Sequence, residues 1–323
     1  MNFELDEDEV ALQKGIRELC RARFPLDGLR AIEGGVDRKM WRDLGEAGVF
    51  SLRLPESDGG VGLGSAQAVL VFEELGAALI PGPLVAGFVT AGLVDGAATG
   101  ERVVGVVEAD RNPILVEYPD ALDELVVIDD GGIRKVDPAS LDGHPVERPL
   151  DPLTPMLFVE QLPDGEEVGG PDAAARLRLE GAAMSAALLL GIALETTELA
   201  TGYAKERVQF DRPIGSFQAV KHLLADMLVR AEVARAAVYA AGVVLDDPSA
   251  GNPGRAIAAA KLLASEAAVT NGKTCIQVHG GMGFTWEAAA HLYLKRASVL
   301  AATFGSPDEH AEAMAGHLVG SHQ

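Results

Sequence analysis

Cysteine is scarce in this chain of 323 residues, and so is positive charge. The only cysteines, Cys20 and Cys275, lie far apart and lack a CxxC neighbour. This pattern argues against a disulfide framework or a metal site, and it predicts a reducing, cytoplasmic setting. Lys and Arg number 27 against 48 Asp and Glu, a formal net charge of −21. Because such a surface repels phosphate backbones and anionic lipids, no nucleic acid or membrane partner is expected.

A secretion signal and a clear membrane span are missing as well. The first ten residues, MNFELDEDEV, have no basic block followed by an apolar block, which predicts that the chain is not secreted. The most apolar stretch, 182–200, is interrupted by Glu195 and Glu198 within a helical period. It is therefore interpreted as a buried helix of a soluble protein. Against this acidic background, an anionic ligand requires a local cluster of basic side chains or helix amino termini.

The apolar pattern changes twice along the chain. Residues 1–100 have helical spacing apart from the turn-rich stretch LPESDGGVGLGS at 54–65. Residues 101–170 carry short β-branched runs separated by Asp, Gly and Pro. Residues 171–323 return to long amphipathic helices. We expect a mainly α protein with an N-terminal helical domain, a small β domain and a C-terminal helical bundle.

Two segments of the third zone carry candidate chemistry. In RVQFDRPIGSFQAVKHLLADM (207–227), a turn between long helices places Arg207, Gln209 and Phe210 at a helix end. They offer a guanidinium for phosphate, an amide for hydrogen bonding and a ring for stacking. A solvated connection between two helices fits the same pattern equally well.

The second segment is CIQVHGGMGFTWEAAAHLYLKRA (275–297). Gly280 and Gly281 end a long helix and permit close backbone approach by a ligand. Glycine at a helix end is also common as a simple C-cap, and His279 taken alone fits a packed histidine better than a catalyst.

In this order, the two segments resemble the C-terminal domain of the acyl-CoA dehydrogenase family, which carries R-x-x-F-G, then Q, then Q-x-x-G-G-x-G-F. Residues 48–76 resemble the same family's N-terminal domain. The resemblance implies that fold, with a C-terminal four-helix bundle and an FAD bound at a subunit interface. It also implies that these residues reach the adenine and pyrophosphate of a neighbouring subunit's FAD: Arg207, Phe210, Gln218, Gln277, Gly280 and Gly281. Gln209 adds an amide beside them. Asp211 replaces the usual glycine, and we expect it to face Arg212.

The family removes a substrate proton with a glutamate in a Y-E-G sequence, and this chain departs from that pattern. Its matching residues are Thr303, Phe304 and Gly305, and a phenyl ring cannot accept a proton. Some members place the base on the first long helix of the bundle, where Glu180 is one residue away from the matching position. The family's T-E-x-x-x-G-S-D loop and W-I-T-N strand are missing from 101–170, which is shortened and keeps only Glu108.

These losses resemble the smaller subunit of heteromeric acyl-CoA dehydrogenases of steroid-degrading actinobacteria. The leading hypothesis is a subunit that completes the FAD site of a full-length dehydrogenase, in a two-plus-two heterotetramer. The resemblance implies a steroid side-chain CoA thioester as substrate, with ordinary fatty acyl-CoA left open. The alternatives are a homomeric dehydrogenase that uses Glu180 as its base, and a structural partner that binds no flavin.

Overall fold

The computed structural model describes residues 5–26, 28 and 35–320, with side chains up to 317. Contacts divide the chain into two compact units. The mixed unit comprises Arg21–Ala68 and Ile80–Gly181, and the helical unit comprises Met1–Cys20, Val69–Leu79 and Ala182–Gln323. The sequence zones 1–100, 101–170 and 171–323 follow changes of secondary structure, whereas the units interleave along the chain. The three-domain division therefore stays a prediction.

Most of the described residues are helical, which confirms the mainly α prediction. The helices are α1 (Glu7–Arg23), α2 (Arg38–Glu46), α3 (Ser65–Ala77), α4 (Leu84–Val89), α5 (Pro171–Glu206), α6 (Gln218–Asp246), α7 (Pro253–His279), α8 (Ala290–Leu300) and α9 (Pro307–Gly320). The three long helices α5, α6 and α7 have 36, 29 and 27 residues. The two candidate segments lie at the ends of these helices.

The mixed unit contains two small sheets. Their strands are β1 (Val104–Glu108), β2 (Ile114–Glu117), β3 (Glu124–Asp129), β4 (Gly132–Val136), β5 (Gly143–Pro145), β6 (Met156–Val159) and β7 (Glu166–Gly169). One sheet has the order β1-β3-β4-β7, with β1 and β3 parallel, and the other has the order β2-β6-β5. Buried valines from both sheets, among them Val107, Val116 and Val127, form one apolar cluster. The β-branched runs of 101–170 thus form strands because their side chains pack together.

Helix α5 contains the most apolar stretch of the sequence. It is long and apolar enough to cross a membrane, but 83% of its most apolar window is buried inside the protein. Within the helical unit, α5 packs so closely on α3 that a Cβ at Gly191 would lie 1.9 Å from the Glu73 carbonyl oxygen. Residues 182–200 thus belong to a buried core helix, as predicted.

Asn271 ties the three long helices together. Its side chain is fully buried, and its Nδ2 donates to the carbonyl oxygens of Ala193 on α5, at 3.3 Å, and Met227 on α6, at 2.9 Å. Its Oδ1 accepts a hydrogen bond from Nε of Arg230 at 2.9 Å. These hydrogen bonds form in one register of the three helices, so Asn271 helps to fix the positions of the helix ends relative to one another.

Candidate functional site

The two candidate segments meet at one end of the helical unit, although 47 residues of the sequence lie between them. Helix α5 ends there, α6 begins and α7 ends. The Tyr203 ring in the last turn of α5 stacks on the His279 ring at the end of α7, with centroids 4.3 Å apart. Ile214, between α5 and α6, packs on the apolar cluster that contains Val278. We call the exposed surface at this end the half-site.

A short hairpin joins α5 to α6. Its strands are β8 (Val208–Gln209) and β9 (Arg212–Pro213), and its two turn residues, Phe210 and Asp211, have φ angles of 53° and 63°. A two-residue turn with both φ angles positive suits the twist of a hairpin and favours Gly, Asn or Asp. This requirement explains why aspartate can stand where the family usually has glycine. The expected pairing of Asp211 with Arg212 is wrong, since the Arg212 guanidinium lies 4.1 Å from the centroid of the Phe217 ring.

Three hairpin side chains predicted to bind nucleotide point into solvent. Phe210 is 86% exposed and meets the Phe217 ring at an interplanar angle of 81°, so most of its ring surface is open to solvent. Gln209 donates one hydrogen bond to the Val208 carbonyl oxygen, at 2.9 Å. Arg207 is exposed and forms no side-chain hydrogen bond or ion pair with any residue that the structure describes. The hairpin therefore presents an open ring and an unpaired guanidinium.

The two predicted glutamines frame this hairpin. Gln218 is the first residue of α6 and Gln277 lies in the last turn of α7, and both are exposed. Within the described chain, neither side chain has a hydrogen-bond partner. Their amides are thus free to bind a ligand from outside.

The glycines after α7 differ in whether backbone conformation or packing requires glycine at their positions. Gly280 has φ 61° and ψ −136°, a conformation that favours glycine. A Cβ at Gly283 would lie 2.8 Å from the Ile276 carbonyl oxygen, so packing requires glycine there. Gly281 has neither constraint, because its φ is ordinary and an added Cβ would meet nothing within 4 Å. Nothing within the described chain thus requires glycine at 281, whereas a ligand that approaches the backbone would.

Charge at the half-site differs from that of the whole chain. Segments 203–222 and 273–289 together contain five basic and three acidic residues, whereas the chain carries −21. The basic residues are Lys205, Arg207, Arg212, Lys221 and Lys273. An anion such as a pyrophosphate is therefore better accommodated here than on an average part of the surface.

Glu180, the alternative candidate for a catalytic base, lies inside the mixed unit and is 4% exposed. Arg53 binds both of its carboxylate oxygens at 2.8 Å, and Nε of Arg176 donates to Oε1 at 2.8 Å. Burial lowers the pKa of Arg53, while the Glu180 carboxylate opposes that shift. With both oxygens accepting from arginine, Glu180 has the environment of a buried ion pair. The sequence could have predicted Arg176 as a partner of Glu180, because the two residues have i,i+4 spacing on one helix. It could not have predicted Arg53, because Arg53 is 127 residues away.

Phe304, which the sequence comparison predicts at the family's usual glutamate position, lies in a tightly held loop. Phe304 is 8% exposed and has a φ angle of 52°. The fully buried ammonium of Lys261 donates to the carbonyl oxygens of Leu300, Ala301 and Gly305 at 3.0 to 3.1 Å. Nε2 of His310 donates to the Phe304 carbonyl oxygen at 3.0 Å. Sequence reasoning missed Lys261, whose only signal is a lysine within an apolar helical run.

The fold and these segments define a helical oxidoreductase of the acyl-CoA class. Residues 6–98 match the model of the acyl-CoA dehydrogenase N-terminal domain, and residues 170–319 match that of the C-terminal domain. The chain belongs to the acyl-CoA dehydrogenase family. Between the two matches lies the stretch that holds β1 to β7.

The chain is similar to mycobacterial members of this family. It is 32% identical to the acyl-CoA dehydrogenase IpdE2 of Mycolicibacterium smegmatis over 94% of this chain and 97% of that protein. It is 37% identical to IpdE2 of Mycobacterium tuberculosis over 86% of each. Among solved structures, a variant of the Tcur3481-Tcur3483 steroid ACAD matches with 25% identity and a TM-score of 0.82, over 98% of each chain. The ChsE4-ChsE5 complex of Mycobacterium tuberculosis shares the fold, at 24% identity and a TM-score of 0.82 over 99% of each chain.

Proposed function

We propose that this chain is the subunit of a heteromeric, FAD-dependent acyl-CoA dehydrogenase that lacks the catalytic base. In this role it contributes nucleotide contacts to an FAD held mainly by a full-length partner subunit. One contrast carries the proposal. Arg207, Gln218 and Gln277 of the half-site are exposed and have no side-chain partner within the described chain. By contrast, neither base position offers a free carboxylate, because Phe304 is apolar and Glu180 is bound by two arginines.

The half-site residues suit the nucleotide part of FAD. Arg207 would pair with the pyrophosphate, and the open main chain at Gly280 and Gly281 would let it approach. Phe210 supplies a ring face for adenine, and a further amide comes from each of Gln209, Gln218 and Gln277. When bound, FAD supplies the hydride acceptor for 2,3-desaturation of the acyl-CoA thioester.

A partner must then supply the base. Abstraction of the proton beside the thioester carbonyl needs a carboxylate within reach, and this chain keeps none free at either family position. The similar Tcur3481-Tcur3483 steroid ACAD is named for two different chains, which supports a two-subunit assembly and a steroid side-chain CoA thioester as substrate. We propose a cytoplasmic two-plus-two heterotetramer, consistent with two cysteines that are both free and buried.

Co-expression tests this proposal. The chain is purified alone and with each acyl-CoA dehydrogenase subunit of its source organism, and bound flavin and turnover of steroid and fatty acyl-CoA thioesters are measured. We expect flavin and turnover only in a complex, and we expect the turnover per bound flavin in that complex to stay unchanged when Glu180 is changed to Gln. Normal flavin loading and turnover by the chain alone would contradict the proposal.

Two other outcomes identify the alternatives. If the chain alone is active, and Glu180→Gln abolishes turnover while flavin stays bound, the chain is a homomeric dehydrogenase with Glu180 as its base. If Arg207→Ala leaves the FAD affinity of the complex unchanged, the chain is a structural partner without a flavin role.

A further inference from the structure

Two adjacent carboxyl groups of α3 hold helix α1 in the helical unit. Glu73 and Glu74 are each 4% exposed. Arg17 of α1 donates to both oxygens of Glu74, at 2.8 and 2.6 Å. Glu73 accepts instead from two uncharged groups, Nε2 of Gln13 on α1 at 3.2 Å and the Tyr239 hydroxyl on α6 at 2.8 Å. Helix α1 is therefore attached to α3 by one charged contact and one uncharged contact.

The Glu73 carboxyl group changes its charge near neutral pH. Burial raises its pKa to about 7, and the neighbouring Glu74 adds to this shift. The hydrogen bond from Tyr239 lowers the pKa most, followed by the charge of Arg235 on α6 and then that of Arg17 on α1. A neutral Glu73 can keep both of its contacts, because its proton can lie in the hydrogen bond with the Tyr239 oxygen.

Arg235 offers the ionised carboxylate a partner on α6. It lies four residues before Tyr239, so the two side chains share one side of that helix. Its Nε is buried and has no hydrogen-bond partner among the described residues, while another of its nitrogens pairs with Glu232. Because Arg235 also lowers the pKa of Glu73 more than Arg17 does, ionised Glu73 is stabilised more from α6 than from α1.

The arginine that α1 contributes is already committed to another carboxylate. The pKa of Arg17 is raised mainly by its hydrogen bond to Glu74, with smaller contributions from the charges of Glu73 and of Glu198 on α5. When Glu73 is ionised, α3 therefore brings two buried negative charges against this single guanidinium. A buried carboxylate without full compensation is unfavourable, and water reaches it if α1 moves away.

We propose that α1 is held on α3 and α6 by a proton-dependent contact, in which loss of the Glu73 proton releases the part of α1 that ends at Cys20. With the proton in place, Glu73 connects α1 to α6 through Gln13 and Tyr239. Without it, the carboxylate turns to Arg235, and the Gln13 amide loses its acceptor. Release of α1 exposes the Cys20 thiol, since this residue is only 3% exposed while α1 is in place.

Alkylation of Cys20 in the full chain reports the release of α1, whereas Cys275, buried in α7, reports unfolding of the bundle. Both rates are followed by peptide mass spectrometry between pH 5 and 8. Dividing the wild-type rate by that of Glu73→Gln at each pH removes the titration of the thiol itself. We expect this ratio for Cys20 to rise at least about tenfold over the range, because the pKa of Glu73 returns from about 7 to its ordinary 4.5 when α1 opens. At pH 8, wild-type Cys20 should react at least about tenfold faster than Cys275, since local opening is easier than global unfolding.

Two further variants test the assignment to Glu73. Glu18→Gln removes a carboxylate from α1 whose side chain is 68% exposed, and it should keep the wild-type pH profile. Tyr239→Phe removes the hydrogen bond that lowers the Glu73 pKa, so the rise in Cys20 alkylation should move to higher pH.

Several results would overturn the proposal. A ratio for Cys20 that stays constant with pH would mean that Glu73 does not control α1. Equal alkylation rates at Cys20 and Cys275 would mean that the whole bundle opens together. Loss of the pH profile in Glu18→Gln, or an unshifted profile in Tyr239→Phe, would mean that the titrating group is not Glu73.

Discussion

The half-site and the surroundings of Glu180 differ in whether their polar side chains have partners within the chain. Around Glu180, every carboxylate oxygen meets an arginine of the same unit. At the half-site, Arg207, Gln218 and Gln277 meet no side-chain partner within the described chain. Polar groups that satisfy one another stabilise a fold, whereas exposed and convergent groups without partners are available to a ligand. We expect substitutions near Glu180 to change stability and substitutions at the half-site to change binding.

The largest effect is expected from Glu180→Ala. This change leaves Arg53, whose side chain is only 23% exposed, without its carboxylate partner, and should lower the free energy of unfolding by about 3–5 kcal/mol. Denaturant unfolding measures it. Arg176→Ala is the matched control, since that side chain is 74% exposed and should contribute about 1 kcal/mol or less. A stable Glu180→Ala protein with lost turnover would instead make Glu180 a catalytic residue.

Glu73 is a second interior carboxyl group and extends the comparison to pH. Burial raises its pKa to about 7, although the Tyr239 hydroxyl donates to it at 2.8 Å and lowers that pKa. Because the folded chain keeps this proton to higher pH than the unfolded chain, the group's contribution to stability falls as pH rises from about 4.5 to about 7.

Glu73→Gln should remove this dependence. Relative to wild type, we expect the variant to gain stability with rising pH, by up to about 3 kcal/mol near pH 8. The measurement is the free energy of unfolding of both proteins between pH 4.5 and 8. Glu46→Gln, at an exposed glutamate, should show no such trend. Equal pH profiles for Glu73→Gln and wild type would mean that Glu73 is not protonated in the folded chain.

The sequence predicts local features of both regions and misses long-range ones. Helical periodicity identifies α5 and its buried stretch at 182–200, and family motifs indicate the half-site residues. The approach of Arg53 to Glu180 depends on how segments 127 residues apart pack, which no local pattern encodes. The left-handed turn at Asp211 is hidden for another reason, since the glycine that normally signals it has been replaced.

Arg207→Ala tests whether the half-site contributes to FAD binding. A charge-assisted contact to pyrophosphate is worth about 1.5–3 kcal/mol, so the FAD dissociation constant of the complex should rise about 10- to 150-fold. Fluorescence titration of the apo-complex with FAD measures this change, and the unfolding temperature should not change. Arg255→Ala removes the same charge from the first turn of α7, about 38 Å along the helix from Gly280, and should leave FAD affinity unaltered.

The smallest effect is expected from Gly281→Ala. This variant should change FAD binding without changing stability. A methyl group at 281 meets nothing within 4 Å, so the unfolding temperature should stay at the wild-type value. If pyrophosphate approaches the main chain there, the methyl group stands in its path, and FAD affinity should fall about tenfold, or about 1.4 kcal/mol. Gly283→Ala should do the reverse, because its methyl group would lie 2.8 Å from the Ile276 carbonyl oxygen and lower stability by about 1–3 kcal/mol. If Gly281→Ala leaves FAD affinity unchanged, the open main chain at 281 is not where the nucleotide binds, and the phosphate contact would have to come from Arg207 alone.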